Sequence, residues 1–155
     1  MPAVKDVMTN EVITFQVETP VDEIADTLSS RHITGAPVLD PDGYVVGIVS
    51  EVDVFSKSGR TARDIMSPNV ITVGEETSLE EVATIMAGER IRRLPVLAGG
   101  RLVGLISRSD VLDFFAQSHW TCETCGAYQH GLHQPDSCTH CGGSSFRLDR
   151  SSPGT

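Results

Sequence analysis

GIVSEVD (residues 47–53) and GLISRSD (104–110) are one short phrase written twice. In each, a β-branched run ends at Ser-x-x-Asp. A serine at a helix N-cap and an acid three positions on form a reciprocal capping pair, so each phrase predicts a strand running directly into a helix. Working outward, PVLDPDGYVV (37–46) answers PVLAGGRLV (95–103), ETPVDEIADTL (18–28) answers ETSLEEVATIM (76–86), and VKDVMTNEVIT (4–14) answers ARDIMSPNVIT (62–72). The offset is 58 as far as Leu39 and Leu97 and 57 beyond, because the turn Asp40–Gly43 loses one residue at Ala98–Gly100. Two copies are too few for a solenoid. A pair predicts two similar halves packed about a pseudo-two-fold axis, with quasi-equivalent clefts.

Each copy reads strand, helix, strand, strand, helix, which sets the fold class as α+β. Val12–Phe15 and Val70–Val73 have strand character. Thr19 before Pro20 and Ser78 before Leu79 are expected helix caps, followed by apolar positions at helical spacing: Val21, Ile24, Ala25 and Leu28, then Leu79, Val82, Ala83 and Met86. Gly43 and Gly99–Gly100 suit hairpin turns. The expected organisation is a first repeat over 3–59, a second over 60–117, a four-cysteine segment over 118–148, and a frayed polar tail over 149–155.

The chain has 155 residues and a net charge of −9. That acidity opposes general affinity for nucleic acid or anionic membrane. The charge is uneven: residues 1–59 hold 3 basic and 10 acidic groups, residues 60–118 hold 7 and 8, and residues 119–155 hold 2 and 3. No run approaches the roughly 18 apolar residues of a membrane span, and MPAVKDVMTNEV lacks the basic and apolar regions of a secretory signal. A cytoplasmic protein is expected, with cysteines that are not disulfides.

The ordered set of DVM and DIM leaders, PVL strands, GIVSEVD and GLISRSD resembles the cystathionine-β-synthase (CBS) domain. Two in tandem resemble a Bateman module over about residues 3–117. The resemblance implies a non-catalytic regulatory module that binds an adenine nucleotide (AMP, ADP or ATP), and a homodimer, since such modules commonly stack. It implies clefts that mix the Ser-x-x-Asp helix of one repeat with the leader, first strand and pre-proline segment of the other. One cleft would join Leu105, Ser107, Ser109 and Asp110 to Met8, Ile13, Ile33 and Thr34. The other would join Ile48, Ser50, Val52 and Asp53 to Met66, Ile71, Ile91 and Arg92. An Asp at a helix N-terminus can accept from two vicinal ribose hydroxyls, although Ser-x-x-Asp also serves purely as a helix cap. Arg92 and Arg93 stand where the first copy has Thr34 and Gly35. Guanidinium groups hold phosphate bidentately, so the Arg92–Arg93 cleft is the expected phosphate-binding one. The neutral first-copy segment suits an adenosyl ligand without phosphates, such as S-adenosylmethionine.

Cys122-x-x-Cys125-Gly126 and Cys138-x-x-Cys141-Gly142 form two knuckles twelve residues apart. Two thiols in one turn reach a single ion, and two such turns complete a tetrahedron. The segment resembles a zinc ribbon or a rubredoxin-like knuckle pair, with Zn as the expected metal and Fe as the alternative. His130, His133 and His140 are less favoured ligands. Four protein sulfurs leave no open coordination position, which favours a structural staple for partner docking over catalysis, with Trp120 and Phe146 expected beside the metal turns. A second reading is a small electron-transfer protein with a four-cysteine iron centre. A third, ribbon docking on nucleic acid, has only Arg147 and Arg150 to support it. No nucleophile–base pair or P-loop suggests an enzyme.

Overall fold

The computed structural model describes residues 2–150. Each repeat begins with a one-turn helix that the sequence pattern does not announce: α1 (Val4–Val7) and α4 (Ala62–Ile65). The first repeat continues as β1 (Phe15–Gln16), α2 (Val21–Arg31), β2 (Gly35–Leu39), β3 (Val45–Ser50) and α3 (Glu51–Ser56). The second follows with β4 (Val73–Gly74), α5 (Leu79–Glu89), β5 (Arg93–Ala98), β6 (Arg101–Ser107) and α6 (Arg108–Gln117). In each three-stranded sheet the short first strand lies parallel to the second, Phe15 opposite Val38 and Val73 opposite Val96.

The first strands lie further along the chain than their β-branched runs suggest. Val12–Thr14 and Val70–Thr72 stay outside the ladder. Each ladder instead takes the one buried aromatic or valine, Phe15 or Val73, and its following residue. A second correction concerns Thr19. Pro20 is the N-cap of α2 and makes no side-chain cap bond, while the Thr19 hydroxyl turns back to accept from the Gln16 N–H at 2.9 Å. Ser78 does cap α5, accepting from the Glu81 N–H at 3.1 Å.

Two compact units cut across the sequence repeats. One comprises Thr9–Gly74 and Leu94–Leu105. Its core gathers Phe15, Val17, Ile24, Leu28, Ala36, Val38 and Val49 from the first repeat with Ala62 and Ile65 from the second repeat's leader. The leader is threaded in by backbone bonds: the Ala62 N–H donates to Thr19 O at 2.9 Å and the Arg63 N–H to Val17 O at 3.0 Å. The other unit holds the described residues of Met1–Met8, Glu75–Arg93 and Ile106–Thr155. Here the first repeat's leader joins the second repeat, with the Val4 N–H donating to Thr77 O at 2.9 Å and the Lys5 N–H to Glu75 O at 3.0 Å. Its buried side chains include Val4, Leu79, Val82, Met86, Ile106, Val111, Phe114 and Trp120. Among the described residues no helix is long and apolar enough to cross a membrane.

The cysteine segment belongs to this second unit. It is a three-stranded antiparallel sheet of β7 (Ser118–Cys122), β8 (Tyr128–Gln129) and β9 (Phe146–Arg150), with β7 central. Strand β9 runs through Asp149 and Arg150, which the sequence reading gives to the tail; pairing with His119 and Ser118 carries them into the sheet. The rest of the expected tail, residues 151–155, lies outside the described residues.

Candidate ligand-binding helix ends and four-cysteine centre

Both Ser-x-x-Asp phrases fold as the capping boxes their spacing predicts. Ser50 accepts from the Asp53 N–H at 3.3 Å, and Asp53 Oδ2 accepts from the Ser50 N–H at 2.9 Å. Ser107 and Asp110 reproduce both bonds, at 3.3 and 2.9 Å. Asp53 Oδ2 also accepts from the Ser50 hydroxyl at 3.1 Å, and the larger difference lies at the other carboxylate oxygen. Asp53 Oδ1 meets the Lys57 ammonium at 2.9 Å, a pairing legible in the i,i+4 spacing that the sequence reading did not use. Lys57 also donates to the carbonyl of Ile65, at the C-terminal end of α4, where the helix dipole favours a cation. Asp110 Oδ1 has no protein partner among the described residues.

The unit that contains Asp53 also holds Ile48, Ser50, Val52, Met66 and Ile71 of the expected cleft. Ile48 exchanges backbone bonds with Ser67, at 3.1 and 2.8 Å, which lays the second leader beside β3. Met66 packs against the core under Gly47, whose missing Cβ would lie 2.5 Å from the Met66 sulfur. Val52 and Ile71 are exposed rather than packed. Ile91, Arg92 and Arg93 fall in the other unit, as do Met8, Ser107, Ser109 and Asp110; Ile13, Ile33, Thr34 and Leu105 accompany Asp53. The backbone of each pre-proline segment meets the last helix of its own repeat: Thr34 O accepts from the Glu51 N–H, and Arg92 O from the Arg108 N–H, both at 2.9 Å.

The four cysteine sulfurs converge within 4.8 Å of one another. Gly126 and Gly142, at φ 82° and 77°, adopt the left-handed turn that glycine takes without strain. Their N–H groups close the knuckles onto Cys122 O and Cys138 O at 2.9 and 2.8 Å. The His140 N–H points at Cys138 Sγ and the Gly143 N–H at Cys141 Sγ, each at 3.4 Å. Such donors stabilise thiolates. The Cys125 N–H, aided by that of Thr124, draws Cys122 down to about 6. The N–H groups of Cys141 and His140 likewise lower Cys138. The Gly143 N–H acts on Cys141 in the same sense, but the adjacent sulfurs, Cys122 foremost, and burial push it up to about 12. Four sulfurs this close cannot all ionise unaided, and a dication is the charge that reconciles them.

The three histidines are engaged elsewhere. His130 Nδ1 lies 2.8 Å from the carbonyls of Phe115 and Ser118, and His133 Nδ1 lies 3.0 Å from Glu80 Oε2. Only the backbone of His140 faces sulfur. Trp120 is buried and its Nε1 donates to Gly131 O at 3.2 Å, pinning the loop between the knuckles. Phe146 pairs with Cys122 across β7 and β9.

The sequence matches the CBS domain family over residues 4–59 and again over 62–117. The chain belongs to the CBS-domain family. Residues 118–155 lie outside both matches. The CBS pair is 35% identical over 108 residues to inosine-5'-monophosphate dehydrogenase of Thermoplasma acidophilum, covering 68% of this chain and 22% of that enzyme. It is 28% identical over 118 residues to the CBS domain-containing protein YhcV of Bacillus subtilis, covering 72% and 84%. The first curated relatives are longer proteins, of which the match spans 22%, 44% and 55%. Among solved structures, CBSX2 in complex with AMP superposes with a TM-score of 0.69 at 30% identity, covering 72% of this chain and 94% of that one. The CBS domain pair of MJ0100, in complex with 5'-methylthioadenosine and S-adenosyl-L-methionine, superposes with a TM-score of 0.70 at 29% identity, covering 75% and 97%. The CBS-pair fold expected from the doubled sequence is therefore the fold of this chain.

Proposed function

We propose that the CBS pair is a non-catalytic sensor of adenosine-containing ligands, and that the four-cysteine segment is a metal-stapled ribbon presenting a surface to a partner. The observation that carries the first part is the Asp110 carboxylate. One oxygen is spent closing the helix and the other is left without a protein partner among the described residues, at a helix N-terminus where a pair of ribose hydroxyls could donate to it. AMP in CBSX2, and S-adenosyl-L-methionine with 5'-methylthioadenosine in the MJ0100 pair, share that adenosine. The second end differs in charge. Lys57 already neutralises Asp53, and the resemblance pairs this end with Arg92 and Arg93, so a ligand bearing phosphate suits it better. The Thr34 segment brings no such cations to the Asp110 end, which favours an adenosyl ligand with an uncharged or cationic tail. Met8, Ile13, Ile33 and Leu105 at one end, and Ile48, Val52, Met66, Ile71 and Ile91 at the other, are the apolar side chains proposed to flank adenine. Ser50, Ser107 and Ser109 supply hydroxyls to sugar or phosphate.

Titration calorimetry with AMP, ADP, ATP, 5'-methylthioadenosine and S-adenosylmethionine tests this. AMP should bind, and Asp53→Ala or Arg92→Ala should weaken it more than Thr34→Ala does; equal affinities throughout would sink the assignment. A switch requires that ligand bind two states of the protein unequally. Sedimentation with and without ligand, on the proposed homodimer, reads that directly.

The ribbon fits a metal through Cys122, Cys125, Cys138 and Cys141, and zinc bound there would supply tetrahedral cross-linking without redox chemistry. The chain's own contribution is the sulfur cluster and the N–H groups aimed at it. Some 30 residues have little core of their own to hold them. Elemental analysis of purified protein should return one zinc per chain; a red protein bleached by dithionite would establish iron and the electron-transfer reading instead.

A further inference from the structure

The last helix of each repeat starts on a Ser-x-x-Asp box, but the two helices end differently. In the first repeat α3 closes itself, with the Lys57 N–H donating to Asp53 O at 3.2 Å. Helices α2 and α5 also close themselves, through left-handed His32 and Arg90, whose N–H groups turn back to Leu28 O and Met86 O. Among the described residues α6 has no backbone bond of this kind. Its C-cap, Ser118, is already extended at φ −131° and ψ 157°, as the first residue of β7. A helix end left open in this way has carbonyls that need donors from elsewhere.

The four-cysteine segment supplies them. The buried Ser118 hydroxyl donates to Phe114 O. His130 Nδ1 lies 2.8 Å from both Phe115 O and Ser118 O. Carbonyls only accept, so Nδ1 carries a proton and donates to both. His130 follows β8 directly, and its loop is fixed on either side by the knuckles. The Cys122 N–H donates to Ala127 O before the loop, and the Cys138 N–H to Gly143 O after it, both at 2.7 Å. Trp120 Nε1 holds the loop at Gly131 O. The chain therefore runs without a linker from Asp110, along the ten residues of α6, into β7 and its last residue, Cys122.

We propose that the four-cysteine centre regulates the Asp110 end through α6, with His130 as the positioning residue that closes the helix while the knuckles are held together. This rests on the adenosine reading of Asp110 and on the metal reading of the cysteines. A helix of about ten residues is marginal by itself, so the closure of both ends matters. When the four sulfurs separate, His130 leaves Phe115 O and Ser118 O, α6 frays, and the Ser107–Asp110 box loses the helix that orients it. A ligand on Asp110 orders the same helix from its other end. Linkage then makes each site tighten the other by the same factor. Buried Val111 and Phe114 keep α6 docked in either state, which makes the effect a weakening of the ligand rather than its loss. The Asp53 end lacks the device, because α3 ends on its own Lys57 bond.

The test is calorimetry of the full chain with 5'-methylthioadenosine, zinc-loaded and chelator-stripped, beside hydrogen exchange of the α6 amides. Stripping should weaken the ligand about fivefold or more, the lower end of allosteric couplings. It should also speed exchange from Gln117 back to Leu112. In the loaded protein His130→Ala should weaken the ligand similarly with all four cysteines in place. His130→Asn, whose amide can donate where Nδ1 does, should restore it. Equal affinity of loaded and stripped protein, full affinity in loaded His130→Ala, or faster exchange confined to the last turn of α6 would each overturn the coupling alone. Loaded protein that takes up no 5'-methylthioadenosine would overturn the adenosine reading, and the coupling with it. Should stripping unfold the chain, the loaded His130→Ala variant decides.

Discussion

At the first repeat's helix end Asp53 divides its carboxylate between Ser50 and the Lys57 ammonium, whereas at the second Asp110 meets only Ser107 among the described residues. The two reciprocal bonds that close each cap have the same lengths, 2.9 and 3.3 Å, in both repeats. Duplication has thus kept what closes a helix and altered what surrounds its charge. A cap needs only bonds reaching three residues along the chain, so it survives any change in its surroundings. The availability of a carboxylate oxygen depends on neighbours, and a single lysine one turn further on is enough to occupy it. Two sites built from one plan can therefore differ in ligand without differing in fold.

That contrast can be broken most directly at the carboxylates. Asp110→Asn should weaken 5'-methylthioadenosine by roughly tenfold or more in calorimetry, as expected for losing a hydrogen bond to a charged group. Asp53→Asn should cost that ligand less, since Lys57 already competes for the same oxygen. Equal losses would erase the distinction between the two ends.

The next effect is on stability. Gly47→Ala would place a Cβ 2.5 Å from Met66 Sδ and 3.1 Å from Met66 Cβ, and moving Met66 disturbs the core that holds the second leader. Overpacking of that kind costs about 1–3 kcal/mol, read as a lower midpoint in urea. In the second repeat the corresponding experiment runs the other way. Gly88 sits inside α5 with nothing within 4 Å of an added Cβ, so Gly88→Ala should stabilise by up to about 1 kcal/mol. A destabilised Gly88→Ala would mean that the α5 face is covered.

The smallest change sharpens the comparison most. Lys57 is 43% exposed at its side chain, so Lys57→Gln should alter stability by no more than about 1 kcal/mol. It should make the first helix end resemble the second, raising 5'-methylthioadenosine affinity there while leaving Asp110 untouched. Reduced affinity in this variant would show instead that Lys57 contacts the ligand.

The two repeats were legible because their signals are local. Ser50 and Asp53, Ser78 and Glu81, and the paired Cys-x-x-Cys-Gly turns each lie within four residues of their partners. Their bonds follow from backbone geometry alone. Misreadings arose where a local signal had competition: Val12–Thr14 had the composition of a strand, yet the ladder took Phe15 because that is the side chain the core could bury. Thr19 had the composition of a cap, but its hydroxyl found the Gln16 N–H first.

The amino-acid order by itself determined the doubling, the helix caps and the four-sulfur knuckles, each closed by bonds between near neighbours in the chain. Tertiary structure alone decided that the leaders exchange partners, with Val4 bonded to Thr77 and Ala62 to Thr19. The Val4 and Ala62 N–H groups carry those bonds, each at 2.9 Å. Those pairings join residues tens of positions apart, and no local pattern records which distant surface a segment will bury against, because that choice is made by the core as a whole.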